Sequence, residues 1–101
     1  MISNQLTDYV IDSDCGIERK TINDFIISIK NKRVFNQINN LVVNFKHPLI
    51  ILEGGGIYLN RGLNPNMIRG VILWMSINKR LPIIRTRNKK DTVSMLYLLA
   101  K

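Results

Sequence analysis

The chain has a single cysteine, Cys15, which excludes a disulfide framework and a zinc site built on several thiolates. It has a single histidine, His47. No apolar run approaches the roughly 18 residues that a membrane span needs. The N-terminus lacks the basic-then-apolar order of a signal peptide. Both absences predict an intracellular protein with no membrane partner, cytoplasmic or, in a eukaryote, nuclear. Acidic residues are few, seven against 15 lysines and arginines, for a net charge of +8. A compact basic domain usually meets a polyanion, and nucleic acid is the first candidate. With 101 residues there is room for one domain, and 46% apolar content excludes disorder.

The acidic residues are clustered. Asp8, Asp12, Asp14, Glu18 and Asp24 share one short stretch, and only Glu53 and Asp91 lie outside it. Carboxylates repel phosphate, so a pure nucleic-acid binder gains nothing from them, whereas an enzyme that sets a divalent cation beside phosphate does. Asp12 and Asp14 read as turn residues.

Asp8–Ile11 and Ile17–Lys20 read as two strands of a hairpin, with Asp12–Gly16 as the turn. Thr21-Ile22-Asn23-Asp24 has the spacing of a capping box with Asp in place of Glu. The helix behind it puts Ile22, Phe25, Ile26 and Ile29 on one face, and after Asn31-Lys32-Arg33 a second helix repeats the spacing with Ile38, Leu41, Val42 and Phe45. Leu49–Leu52 reads as a strand buried on both faces. A glycine-rich loop runs from Gly54 to about Leu63. Asn64-Pro65 starts a helix that extends to about Lys79. Pro82–Thr86 is a further strand, and Lys89 opens a last helix. This order predicts an α/β fold with a mixed, partly parallel sheet flanked by helices.

The last two long helices are apolar nearly all round, where a surface helix needs only one apolar stripe, so the surplus goes either into a tightly wrapped core or, the preferred reading, against a second subunit. The surplus predicts a dimer through Ile68, Val71, Ile72, Trp74, Met75, Leu96 and Leu99. Trp74 reads as packing rather than as a base-stacking platform. The basic run from Lys79 to Lys90, with Arg85, Arg87, Lys89 and Lys90, is a candidate contact for DNA phosphate. Gly54-Gly55-Gly56 has no following Lys-Ser/Thr and reads as a loop rather than a phosphate cradle. His47 and Cys15 carry no predicted chemistry.

Glu18 and Lys20 are two apart on one predicted strand, so they project to the same face. The hairpin can set Asp8 beside Glu18, and Asp24 follows in the first helical turn. Two carboxylates about 4 Å apart repel by roughly 1–4 kcal/mol, a cost that a bound cation removes. Phosphodiester hydrolysis uses these same parts. Asp8 and Glu18 would hold Mg²⁺, with the Arg19 carbonyl completing the shell, and Lys20 would position the attacking water and steady the transition state.

Thr7-Asp8-Tyr9-Val10 followed by Ile17-Glu18-Arg19-Lys20-Thr21-x-x-Asp24-Phe25 resembles the Gly-Asp … Glu-Arg-Lys-x-x-x-Asp signature of the XPF-type structure-specific DNA endonucleases. Arg33-Val34-Phe35-x-Gln37, Ile50-Ile51-Leu52-Glu53-Gly54, Pro65-Asn66-Met67-Ile68-Arg69-Gly70, Pro82-Ile83-Ile84-x-Thr86 and the Asp91-to-Ala100 ending match further segments in order. The resemblance implies a restriction-endonuclease-like fold and Mg²⁺ or Mn²⁺ as cofactor. It implies cleavage of branched, flapped or forked DNA by a homodimer or a heterodimer with a related subunit. It gives Asp8, Glu18, Lys20 and Asp24 catalytic roles and sets Arg19 and Arg33 near the scissile strand.

The family's upstream Asp-x-Arg-Glu strand and its helix-hairpin-helix domain have no counterpart in these residues, so the expectation is a nuclease domain over 1–101 that is N-terminally shortened: a fragment, a chain whose missing piece a partner supplies, or a reduced nuclease. The alternative is a catalytically weak or inactive DNA-binding or dimerisation subunit. A basic α/β nucleic-acid binder without chemistry is the third possibility.

Overall fold

The computed structural model describes Tyr9, Val10 and residues 14–59 and 62–101. Among them, one mixed sheet has the order β1 (Tyr9–Val10), β2 (Cys15–Thr21), β3 (His47–Glu53), β4 (Ile83–Thr86). β1 pairs antiparallel with β2, and β2, β3 and β4 run parallel. The expected hairpin is present, but Cys15 and Gly16, expected in its turn, belong to β2. Gly16 is where β2 meets Phe45. A Cβ at this position would overlap the Phe45 ring, so no other residue fits without movement.

Helices α1 (Ile22–Lys30) and α2 (Arg33–Asn44) connect β2 to β3, and α3 (Pro65–Leu73) lies between β3 and β4. Both crossovers advance the same way across the sheet and deliver their helices to one face. Ile22, Phe25, Ile26 and Ile29 of α1 are buried as their spacing predicts, against Val34, Ile38 and Leu41 of α2 and Ile50 and Leu52 of β3. The punctuation follows local chemistry. Thr21 Oγ1 accepts from the Asp24 N–H at 3.1 Å, and Asn64 Oδ1 from the Asn66 N–H at 2.9 Å with Pro65 in the first turn. Lys32 separates α1 from α2 in a left-handed conformation, φ 65°.

The helix begun at Pro65 widens into a π-helical segment over Trp74–Asn78, a feature that apolar spacing does not announce. The last helix, α4 (Lys89–Leu99), packs alone on the opposite face of the sheet. Its one buried residue is Thr92. No helix of the described residues is long and apolar enough to cross a membrane.

Candidate active site

The pleat of β2 divides Glu18-Arg19-Lys20 between the two faces of the sheet. The register sets Glu18 beside Ile50 and Lys20 beside Leu52, whose side chains belong to the core under α1, α2 and α3. Glu18 and Lys20 therefore share the helix-covered front face, as expected, with their Cβ atoms about 7 Å apart. Lys20 is 8% exposed and Glu18 is half-buried. Leu52 in turn aligns with Arg85, which places Lys20, Leu52 and Arg85 in one row near the carboxyl ends of the parallel strands. Asp24 is exposed in the first turn of α1, directly past the end of β2. Asp8 lies outside the described residues, and among the described residues no three metal-ligating side chains gather.

Arg19, the residue between Glu18 and Lys20, projects differently. It points to the back face, where its Nε and Nη2 donate to Glu53 Oε1 and Oε2 at 3.0 and 2.5 Å. Thr92 Oγ1 donates to Glu53 Oε1 at 2.7 Å and lies 2.6 Å from Thr86 Oγ1. The Arg19 guanidinium thus serves the fold and is turned away from the face of Glu18 and Lys20. The bidentate bond from Arg19 holds the Glu53 carboxyl below its ordinary value. Burial opposes this, and the Thr92 hydroxyl and the charges of Arg19 and Lys89 reinforce it. The signal for this network was a lone glutamate in an otherwise apolar strand, which requires a charged partner on a neighbouring strand.

Arg33 stands apart from Glu18 and Lys20 along α1. It starts α2, at the far end of α1 from Asp24, and its N–H and Nε donate to Asn31 Oδ1 at 3.1 and 3.2 Å. Of the basic run, Arg85 donates to the Gly54 carbonyl at 3.1 Å on the site's side of the sheet. Arg87, Lys89 and Lys90 are exposed, and Arg87 pairs loosely with Asp91 at 3.6 Å.

The expected interface residues divide. Ile68, Val71 and Met75 are 1, 6 and 0% exposed and are spent on the chain's own core, because they face α1 and the sheet. Ile72, Trp74 and Leu96 are partly buried, and Leu99 is exposed. The apolar surface left uncovered is instead Met67, Leu73 and Ile77 on the α3 side and Val93, Tyr97 and Leu98 on α4. An apolar groove of about 300 Å³ separates α4 from the back of the sheet, between Ile51, Ile84, Met95 and Leu98.

Sequence reasoning also passed over Tyr58 and Arg69. The Arg69 guanidinium stacks 4.8 Å from the centre of the Tyr58 ring, and its Nη1 donates to Asn66 Oδ1 at 2.9 Å. Tyr58 is 44% exposed on the loop after β3.

A model of the ERCC4 domain matches residues 1–99. The chain is 32% identical over 104 residues to the 3′-flap repair endonuclease Xpf of Saccharolobus solfataricus, an alignment covering 100% of this chain and 45% of that protein. It is 36% identical over 97 residues to a Methanocaldococcus jannaschii protein named for ATP-dependent RNA helicase activity, covering 96% of this chain and 12% of the relative. XPF from Aeropyrum pernix, solved in complex with DNA, superimposes with a TM-score of 0.85 at 24% identity, over 95% of this chain and 48% of that one. The α/β fold expected from the sequence is the one that structure has. The chain spans less than half the length of each of these relatives.

Proposed function

Because the chain belongs to the ERCC4 domain family, we propose that it is a divalent-metal-dependent endonuclease domain that hydrolyses phosphodiester bonds in branched or flapped DNA. The observation that carries this reading is the pairing of Glu18 and Lys20 on the front face of β2, with Asp24 at the strand's end, within a chain 32% identical to a flap endonuclease. The likeness to a protein named for helicase activity extends over 12% of that protein, and no phosphate-cradle lysine follows Gly54–Gly56.

The donors on offer are carboxylate and backbone oxygens, with no thiolate or imidazole beside them. His47 opens β3, at the other end of the strand. This set suits a hard cation such as Mg²⁺ or Mn²⁺. Glu18, Asp8 and the Arg19 carbonyl would hold it. The reading requires Asp8 across the ladder from Glu18, one step beyond the Tyr9–Ile17 pair. When bound, the metal lowers the pKa of water and neutralises charge on the phosphate. Lys20 orients the attacking water and donates to the phosphoryl oxygen on which charge develops. Its near-complete burial limits the solvent that competes for the ammonium. Asp24 sets the outer edge of the site, and Arg85, in the same row as Lys20, supplies a phosphate contact.

The exposed apolar strips on α3 and α4 serve a second subunit, either another copy or a related chain, and the site of action is inside the cell, where DNA is. The test is cleavage of flap and plasmid DNA in Mn²⁺ and Mg²⁺. Saturable Mn²⁺ binding that Glu18→Gln removes supports the enzyme. A folded wild-type chain that neither binds Mn²⁺ nor cuts DNA overturns it and leaves a binding subunit.

A further inference from the structure

Between Glu53 and Asp91 the chain carries no acidic residue and eight lysines and arginines. Among the described ones, Lys79 lies 5.5 Å from the centre of the Trp74 ring and Arg85 donates to the Gly54 carbonyl, whereas Arg69 has two such uncharged partners at once. Arg69 is pinned twice, by Asn66 Oδ1 and by the Tyr58 ring, and neither partner carries a charge. Among the described residues the ion pairs formed are Arg19–Glu53 and Arg87–Asp91, and Arg69 takes part in neither. Its charge is fixed in direction yet unneutralised and exposed. Tyr58 beneath it is also exposed, so a planar guanidinium and an aromatic ring are presented together to solvent.

The loop's path explains why this pair matters to the site. At its start, a Cβ on Gly54 would stand 3.6 Å from Ile22, beside Asp24. At its end, a Cβ on Gly62 would stand 3.2 Å from Lys30 Nζ. The loop thus leaves the sheet beside the start of α1, and Gly62 stands beside the Lys30 side chain at its other end, with Tyr58 between these two points in the chain. Helix α1 is about 13 Å long, which a stacked strand rising about 3.4 Å per nucleotide crosses in roughly four steps. Arg85 stands at the first of these points and Lys30 at the second, the loop between them carries Tyr58 with Arg69 stacked on it, and Asp24 is the carboxylate of the first turn of α1.

We propose that Tyr58 and Arg69 form a stacking platform for the single-stranded arm of a branched DNA, holding a base a few nucleotides from the scissile phosphate. The pair matches this occupant in both its parts. A base stacks on an aromatic or guanidinium plane whatever its sequence, and the fixed cation meets the adjoining phosphate. An acidic peptide would use the charge of Arg69 but would have no use for the exposed ring. The platform rests on the nucleic-acid reading above and not on hydrolysis, so the two can fail separately.

The test uses the full chain with a flap DNA carrying 2-aminopurine at successive positions of the single-stranded arm, with Ca²⁺ in place of Mg²⁺ to prevent cutting. The expected result is quenching of one or two 2-aminopurines, lost in Tyr58→Ala and kept in Tyr58→Phe. Affinity for the flap falls at least five-fold in Tyr58→Ala and in Arg69→Gln. Plain duplex is bound as before. Arg69→Gln also lowers the slope of log affinity against log salt by about one, which a purely structural loop contact would not do. Unchanged flap affinity in both variants, with Trp74 fluorescence reporting a native fold, overturns the proposal. So does equal loss on flap and duplex. A wild type that fails to cut in Mn²⁺ but keeps the Tyr58-dependent quenching upholds the platform and sinks the nuclease.

Discussion

The two faces of the sheet are built on opposite principles, although adjacent residues of one strand supply both. The front face, under α1, α2 and α3, has a dense apolar core and places Glu18 and Lys20 at its margin. The back face has one helix, two buried threonines and a charged network, Arg19–Glu53–Thr92–Thr86, that ties α4 to β3 and β4. On the front, charged side chains stand at the margin of the apolar core. On the back, a charged network is part of what holds the fold.

The largest expected effect separates the faces outright. Lys20→Met keeps the buried stem and removes the ammonium, and DNA cleavage should fall about 10²–10³-fold, as when one transition-state donor is lost. The melting temperature should stay the same or rise. Arg19→Met, one residue along, should do the reverse. It leaves the buried Glu53 carboxylate without its main partner and costs about 3 kcal/mol of stability, while cleavage per folded molecule survives. A cleavage loss in Arg19→Met equal to that of Lys20→Met, in a chain shown to be folded, would return Arg19 to the site.

A smaller effect probes the front face at its tightest point. Gly16→Ala forces a methyl group into the Phe45 ring and should destabilise by about 1–3 kcal/mol. Shrinking the ring in a Gly16→Ala/Phe45→Leu double variant should recover part of that loss. Additive losses in the pair would show that the contact is not what requires glycine here.

Much of this was legible in the chain. The capping threonine, the Asn64-Pro65 start and the period of α1 and α2 are local signals, and each fixed its element. That Glu18 and Lys20 share a face follows from the pleat alone. The role of Arg19 was not legible from its own segment, because Glu53 lies 34 residues away and only the register of β2 against β3 brings them together. The division of α3 failed for a similar reason. A helix apolar on every side does not reveal which side the core takes, and the core took Ile68, Val71 and Met75. Tyr58 and Arg69 escaped because a loop residue and a helix residue, each ordinary alone, acquire meaning only when stacked.

The pH dependence of the back face gives the finest distinction. Glu53 has its proton affinity lowered in the folded state, chiefly by the bond from Arg19, relative to 4.5 for the unconstrained group. In the window below pH 4.5 and above the folded value, the unfolded chain binds the proton and the folded chain does not. Stability therefore rises with pH across that window, is fully present above it, and is lost as pH falls through the folded value. Urea unfolding between pH 3 and pH 6 should show this slope in the wild type and a shallower one in Glu53→Gln, where no carboxylate remains to titrate. Thr92→Val should lie between them, since it removes one of the two donors and costs about 1 kcal/mol at neutral pH. If Glu53→Gln keeps the full acid slope, the acid sensitivity comes from another carboxylate, and the bond from Arg19 to Glu53 does not carry the stability assigned to it.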